Sequence, residues 1–302
     1  MDHYIDIGMR ELHRDGEKDL PDIVAAGYQL RPDMIAFEAF LLDFPKFAGM
    51  IRPKVTGEEN VRRLVQANVQ HHVDLIKILA TERSGTPDTD PRKRTFSDEE
   101  IVAIVDEARK AGLPVAAHAH GDEGAAAAVR AGVRSIEHGS FMSDETLALM
   151  KVRGTYLVPT IGIESAVSST STYKNSAPVR REQLHTISQS AHGVVQRAWK
   201  LGIPLVAGSD STYDLDVAPD FTVANEVVEL VKAGIPPMEA IKAATFRAAG
   251  CLGISARTGS IRPGGEADLV VVEGDPLANI TAVKKIVMVI NDGQIAISRL
   301  SR

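Results

Sequence analysis

Two short apolar runs in this chain end in histidine followed by glycine. They are Val115-Ala116-Ala117-His118-Ala119-His120-Gly121 and Ser135-Ile136-Glu137-His138-Gly139. Such a run has the pattern of a strand buried on both faces. A polar residue and then glycine at its carboxyl end reads as a strand tip opening into a loop. In a parallel α/β barrel, that end of the strands carries the active site. Imidazoles at neighbouring tips suit a zinc-like ion, so His118 and His138 are candidate metal ligands. The alternative for both is a core histidine bonded to backbone. His120 faces the same side as His118 if the strand continues that far. It is a candidate ligand, substrate contact or supporting group.

Two further residues extend this chemistry. Asp210 closes the apolar run Ile203 to Ala207. It could cap a turn, or it could ligate a metal and take a proton from attacking water. Lys77 lies inside the apolar run Val73 to Leu79, where an unpaired ammonium is costly. It could snorkel, pair with Asp74, act as a neutral amine, or be carbamylated into a carboxylate that bridges two metals. A non-metal enzyme using Lys77 as a Schiff base is a weaker alternative. His3, His13, His71, His72, His185 and His192 read as surface residues. Gly208-Ser209-Asp210-Ser211 lacks the G-x-S-x-G pattern of a serine hydrolase.

The elements that must hold these residues alternate strand and helix. The helices expected are Tyr4–Arg14, Thr56–Val69, Asp98–Ala111, Glu123–Ala131, a helix from Ser143 as N-cap to Val152, Val179–Leu201, Ala224–Ala233 and Pro237–Ala248. Ser97-Asp98-Glu99-Glu100 is a capping box for the third of them. Strands are expected near residues 22–27, 73–79, 114–119, 134–138, 155–159 and 203–208. Gly27 to Arg52, and Ser165 to Tyr173, read as loops. Regular βα alternation predicts a parallel sheet, closed as a barrel or open and doubly wound. No G-x-G-x-x-G follows the first strand, which disfavours dinucleotide binding. Composition shifts near Gly253. Beyond it, Ala267 to Val272, Ile286 to Ile290 and Gln294 to Ile297 read as strands, with Asp292-Gly293 as a hairpin turn. The expected division is therefore 1–253 and 254–302.

The chain has 302 residues, 44% hydrophobic and 25% charged, enough for a sizeable core. Its net charge of −6, with acids and bases interspersed, argues against a nucleic-acid partner. Cys251 is the only cysteine, so no disulfide framework exists and a cytoplasmic setting is expected. No apolar run approaches the roughly 18 residues of a membrane-spanning helix, and the first residues do not have the pattern of a signal peptide.

Taken in order, His-Ala-His-Gly at 118–121, Ser-Ile-Glu-His-Gly at 135–139, Thr-Tyr-Leu-Val-Pro-Thr at 155–160 and Ala-Gly-Ser-Asp at 207–210 carry a family resemblance. So does Gly-Ser-Ile-Arg-Pro-Gly-Gly-Glu-Ala-Asp-Leu-Val-Val-Val at 259–272. The chain resembles the metal-dependent amidohydrolase superfamily, in its imidazolonepropionase-like and prolidase-like branch. The resemblance implies a (β/α)8 TIM barrel flanked by a small β-sandwich, with one or two divalent ions, zinc first among them. It assigns Lys77, His118, His138 and Asp210 to the metal. Metal-bound hydroxide would attack an amide or peptide carbonyl, with Asp210 as base and then acid. His120, Tyr156, Tyr173 and Tyr213 are expected to shape the pocket for a small-molecule or dipeptide substrate. The activity implied is that of a dipeptidase or carboxypeptidase.

The sequence departs from the family pattern in one respect. Family members carry a His-x-His at the end of the first barrel strand, and none occurs here before Lys77. The expectation is an N-terminally truncated barrel of six strands lacking the first two, with only the C-terminal part of the sandwich. A homo-oligomer or a complementing N-terminal chain would then cover the open sheet edges. The rival expectation is an inactive fragment, a pseudoenzyme or a split-enzyme subunit.

Overall fold

The computed structural model describes residues 5–17, 20–32, 56–84, 89–169, 178–211 and 222–300. The chain divides into two compact units, Met1–Thr155 and Tyr156–Arg302.

The first unit runs α1 (Ile5–Arg14), α2 (Glu58–Gln70), β1 (Ile76–Leu79), α3 (Asp98–Lys110), β2 (Val115–Ala119), α4 (Asp122–Ala131), β3 (Ser135–His138) and α5 (Asp144–Arg153). The strands are parallel and adjacent in sequence order. Helix ends follow local chemistry. The Ser97 hydroxyl accepts from the Glu100 amide and the Glu100 carboxylate from the Ser97 amide, completing the capping box of α3. Ser143 caps α5, and Gly132 and Gly154 end α4 and α5 in left-handed conformations. Gly124 lets the first turn of helix α4 lie close to the residue that follows β1. A Cβ on Gly124 would stand 2.6 Å from the Ala80 carbonyl oxygen.

Strand register divides the sheet's two faces by chemistry. Leu79 pairs with His118 and His118 with Glu137, while Lys77 pairs with Ala116 and Ala116 with Ser135. Alternation therefore puts Lys77, His118, Ser135 and Glu137 on one face. The other face carries Ile76, Ile78, Ala117, Ala119 and Ile136, all fully buried. One face is core, and the other holds the polar groups.

The expected strand at 22–27 does not form. Its Ala25 instead bonds to Asp74, with the Ala25 amide donating to Oδ2 and the Asp74 amide to the Ala25 carbonyl. Chain pairing begins only at Leu30, which bridges Ile78 in parallel. Asp74 is occupied by the fully buried Arg10 of α1 at 2.6 Å, so it is not the partner of Lys77. Most of the expected 27–52 loop lies outside the described residues.

The second unit opens with β4 (Tyr156–Val158), bridged in parallel through Leu157 to Leu205. The expected 203–208 strand is thus present as an extended segment against β4. Gly208 is required there, since a Cβ would meet Val158 Cγ1 at 2.5 Å. Helices α6 (Gly162–Ser169), α7 (Pro178–Leu201), α8 (Val223–Lys232), α9 (Pro237–Ala244) and α10 (Phe246–Leu252) follow. The single helix expected over 237–248 is broken at Thr245, whose ψ of −93° interrupts the helical bonds. Helix α6 occupies the start of the expected Ser/Thr-rich loop.

The chain ends in an antiparallel sheet of β5 (Leu269–Val272), β6 (Ile286–Asn291) and β7 (Gln294–Ser298). Asp292 and Gly293 both have positive φ, the type I′ signature of the expected hairpin. Among the described residues, no helix is long and apolar enough to cross a membrane.

Candidate metal centre

His118 and His120 stand at the tip of β2, 8% and 4% exposed. The His120 backbone is fixed on both sides: its amide donates to Thr81 Oγ1, and its carbonyl accepts from the Phe141 amide. His138 ends β3, where plain alternation would turn it to the core face with Ile136. Its φ of 72° breaks that alternation, and its ring joins the other two. The His138 ring lies 4.6 Å from that of His118 and stacks on that of His120 at 4.5 Å. A non-glycine residue in the left-handed region is strained, and here the strain accompanies convergence of the three rings.

One nitrogen of each β2 histidine is already engaged. His118 Nε2 lies 3.3 Å from the Glu82 carbonyl oxygen, which can only accept, so this nitrogen carries the proton and Nδ1 keeps its lone pair. His120 Nδ1 lies 2.9 Å from the hydroxyl of Ser140, which is 2% exposed. Burial holds His118 and His138 well below the ordinary imidazole range, and the neighbouring rings and the Lys77 ammonium add to this. Burial pushes His120 down to about 4.

Lys77 forms an ion pair with Glu137 across the polar face, and Ser135 Oγ donates to the other oxygen of the same carboxylate. Glu137 and Ser140 were not among the residues singled out in the sequence. The signal for Glu137 was the strand alternation that puts it level with His118. Ser140 had no signal, because its role depends on how the chain turns after Gly139.

In the second unit, Asp210 is exposed at the end of the Ile203–Ala207 segment, with φ 47°. Thr160, just past β4, also has positive φ, at 52°. The Tyr156 hydroxyl lies over Gly250, 3.0 Å from where a Cβ would stand. Tyr173 and Tyr213 lie outside the described residues. A further buried acid is Glu226 of α8. It accepts from the Ile161 and Gly162 amides and so caps α6. Burial pushes it up to about 8, against the pull of those amides.

The donor set fits a metal ion. One ligand atom from each of His118, His120 and His138 lies within 4.8 Å of the others. Imidazole nitrogens on one tetrahedral ion are about 3.4 Å apart, so the rings need only close slightly around it. Tying the second ring nitrogen to a carbonyl or hydroxyl is how proteins orient such ligands.

The amidohydrolase family profile matches residues 25–296. Ochratoxinase of Aspergillus niger is 35% identical over 228 residues, covering 74% of this chain and 46% of that protein. The crystal structure of a Xaa-Pro dipeptidase with methionine bound in its active site superposes with a TM-score of 0.84 at 30% identity, covering 98% of this chain and 73% of that one. The crystal structure of A. niger ochratoxinase gives 0.80 at 27% identity, covering 99% and 71%. The chain belongs to the amidohydrolase family, a family of hydrolytic enzymes, and has the α/β fold of its barrel structures. It spans just under half the length of the curated ochratoxinase relative.

Proposed function

We propose that this chain is a metal-dependent hydrolase of amide or peptide C–N bonds, acting on a dipeptide or a similarly small substrate. The observation that carries this reading is the convergence of histidines from two adjacent strand tips. Likeness to a Xaa-Pro dipeptidase supports the substrate class. His118 and His138 would hold a divalent ion, zinc being the first choice for an imidazole set, with Lys77 and Asp210 as the further ligands that the family pattern assigns. Such an ion, when bound, polarises a carbonyl and makes water acidic enough to attack near neutral pH.

The chain's own groups supply the rest. Asp210 takes the proton of the attacking water and returns it to the departing nitrogen. Lys77 has two exclusive states. As an ammonium it neutralises Glu137; as a carbamate it would set two anions side by side unless Glu137 took up a proton. Residues 1–253 are assigned to the barrel and 254–302 to a sandwich segment containing β5, β6 and β7.

The test is hydrolysis of a panel of Xaa-Pro and other dipeptides by the purified chain with Zn²⁺, Co²⁺ or Mn²⁺ added. The expected result is metal-dependent release of free amino acid, with kcat lowered about 10²- to 10⁴-fold in Asp210→Asn. Metal binding without turnover of any substrate in the panel would overturn this reading.

A further inference from the structure

The sequence contains one His-x-His, and it is His118-Ala119-His120. The family pattern takes only its first histidine as a ligand. The surroundings of the second are those of a ligand as well. Residues two apart at a strand end face the same way, and the His120 ring lies flat on that of His138, 13° from parallel. Its backbone is pinned by Thr81 and Phe141. Its Nδ1 is engaged by the hydroxyl of Ser140, itself buried, which leaves Nε2 as the nitrogen available to a ligand. Its ligand atom lies within 4.8 Å of those of both other imidazoles.

We propose that His120 is a metal-holding residue oriented by Ser140, so that the chain offers one divalent ion three imidazoles instead of two. The inference rests on the metal site described under Proposed function and changes its composition. The ion bound would be one that favours several nitrogen donors, such as Zn²⁺ or Co²⁺, over Mg²⁺ or Ca²⁺, which favour oxygen. Ser140 acts through His120 and is a positioning residue.

The test is a titration of the full-length, metal-stripped chain with Co²⁺, read by visible d–d absorption and by competition with a chelating dye. Circular dichroism reports folding throughout. The unaltered chain should bind one Co²⁺ with the intense bands of low coordination number. His120→Ala should lose those bands and bind far more weakly. Ser140→Ala should weaken binding by about 10- to 100-fold, and Ser140→Thr, which keeps the hydroxyl, should restore most of it. Should His120→Ala not fold, the Ser140 pair decides the matter. If His120→Ala matches the unaltered chain in affinity and spectrum while His118→Ala binds nothing, the proposal is overturned and the two-histidine site stands. If the unaltered chain binds no Co²⁺, the metal site falls as well. Equal affinities for Ser140→Ala and Ser140→Thr would remove Ser140 from its role.

Discussion

His138 shows what a single backbone angle contributes to this site. Its φ of 72° lets a histidine on the core-facing register of β3 meet two histidines on the polar face. The left-handed conformation costs an L-residue about 1–2 kcal/mol and glycine nothing. His138→Gly should therefore be more stable than His138→Ala by about 1 kcal/mol, although both lose the same ring. Urea denaturation of the pair would measure the difference, and equal stabilities would mean that the angle is unstrained. The sequence made the ligand candidates legible at this scale, because histidine-glycine at the end of an apolar run is a local pattern. It could not reveal the ring stacking or the Ser140 contact, which depend on where the chain goes after the strand. Nor could it show that Glu137, not Asp74, would meet Lys77, since that depends on strand register.

At the scale of elements, helices with local start and stop signals were legible nearly to the residue. Helices α3 and α5 carry their own caps, and both lie where the sequence places them. Helix α6 was hidden because its cap comes from elsewhere: Glu226 lies 64 residues from the Gly162 amide it accepts from. The segment at 22–27 shows the opposite error. Its composition suits a strand, but Asp74 satisfies its backbone in place of a ladder partner. The same carboxylate holds Arg10, so one side chain ties α1 and the 22–27 segment to the start of β1. Asp74→Ala should destabilise the protein by about 3 kcal/mol, because it leaves a buried guanidinium with an exposed glutamate as its remaining partner. Adding Arg10→Met should recover part of that loss. Thermal denaturation of both variants is the check, and a double variant no more stable than the single would show that the packing of Arg10, not its charge, matters.

For the whole molecule, the alternation of strand and helix made the α/β class and the β-rich tail legible, whereas the division into two compact units at Thr155 left no mark in composition. Stability as a function of pH is a property at this scale, and Glu226 should leave a trace in it. Its folded pKa is raised to about 8 from the ordinary carboxyl value of 4.5, mainly by burial, with Glu229 adding to the rise. Below 4.5 the group is protonated in both folded and unfolded chains. Between 4.5 and 8 the unfolded chain gives up the proton more readily, so its contribution to stability falls as pH rises, by up to about 5 kcal/mol. Glu226→Gln should abolish that slope, while costing about 1–3 kcal/mol at low pH by leaving one buried amide without an acceptor. Folding free energies measured from pH 4 to 9 should therefore cross, and parallel curves would show that Glu226 stays ionised throughout. The glycine after the histidine pair has a different kind of reach. A Cβ on Gly121 would stand 2.3 Å from the Arg92 carbonyl oxygen, and the Gly121 amide donates to the Pro91 carbonyl. The β2 tip and the loop before α3 are thus dovetailed backbone to backbone. Anyone transplanting His-Ala-His-Gly into another scaffold would have to carry the 90–96 loop with it, since the four residues alone are half of a joint.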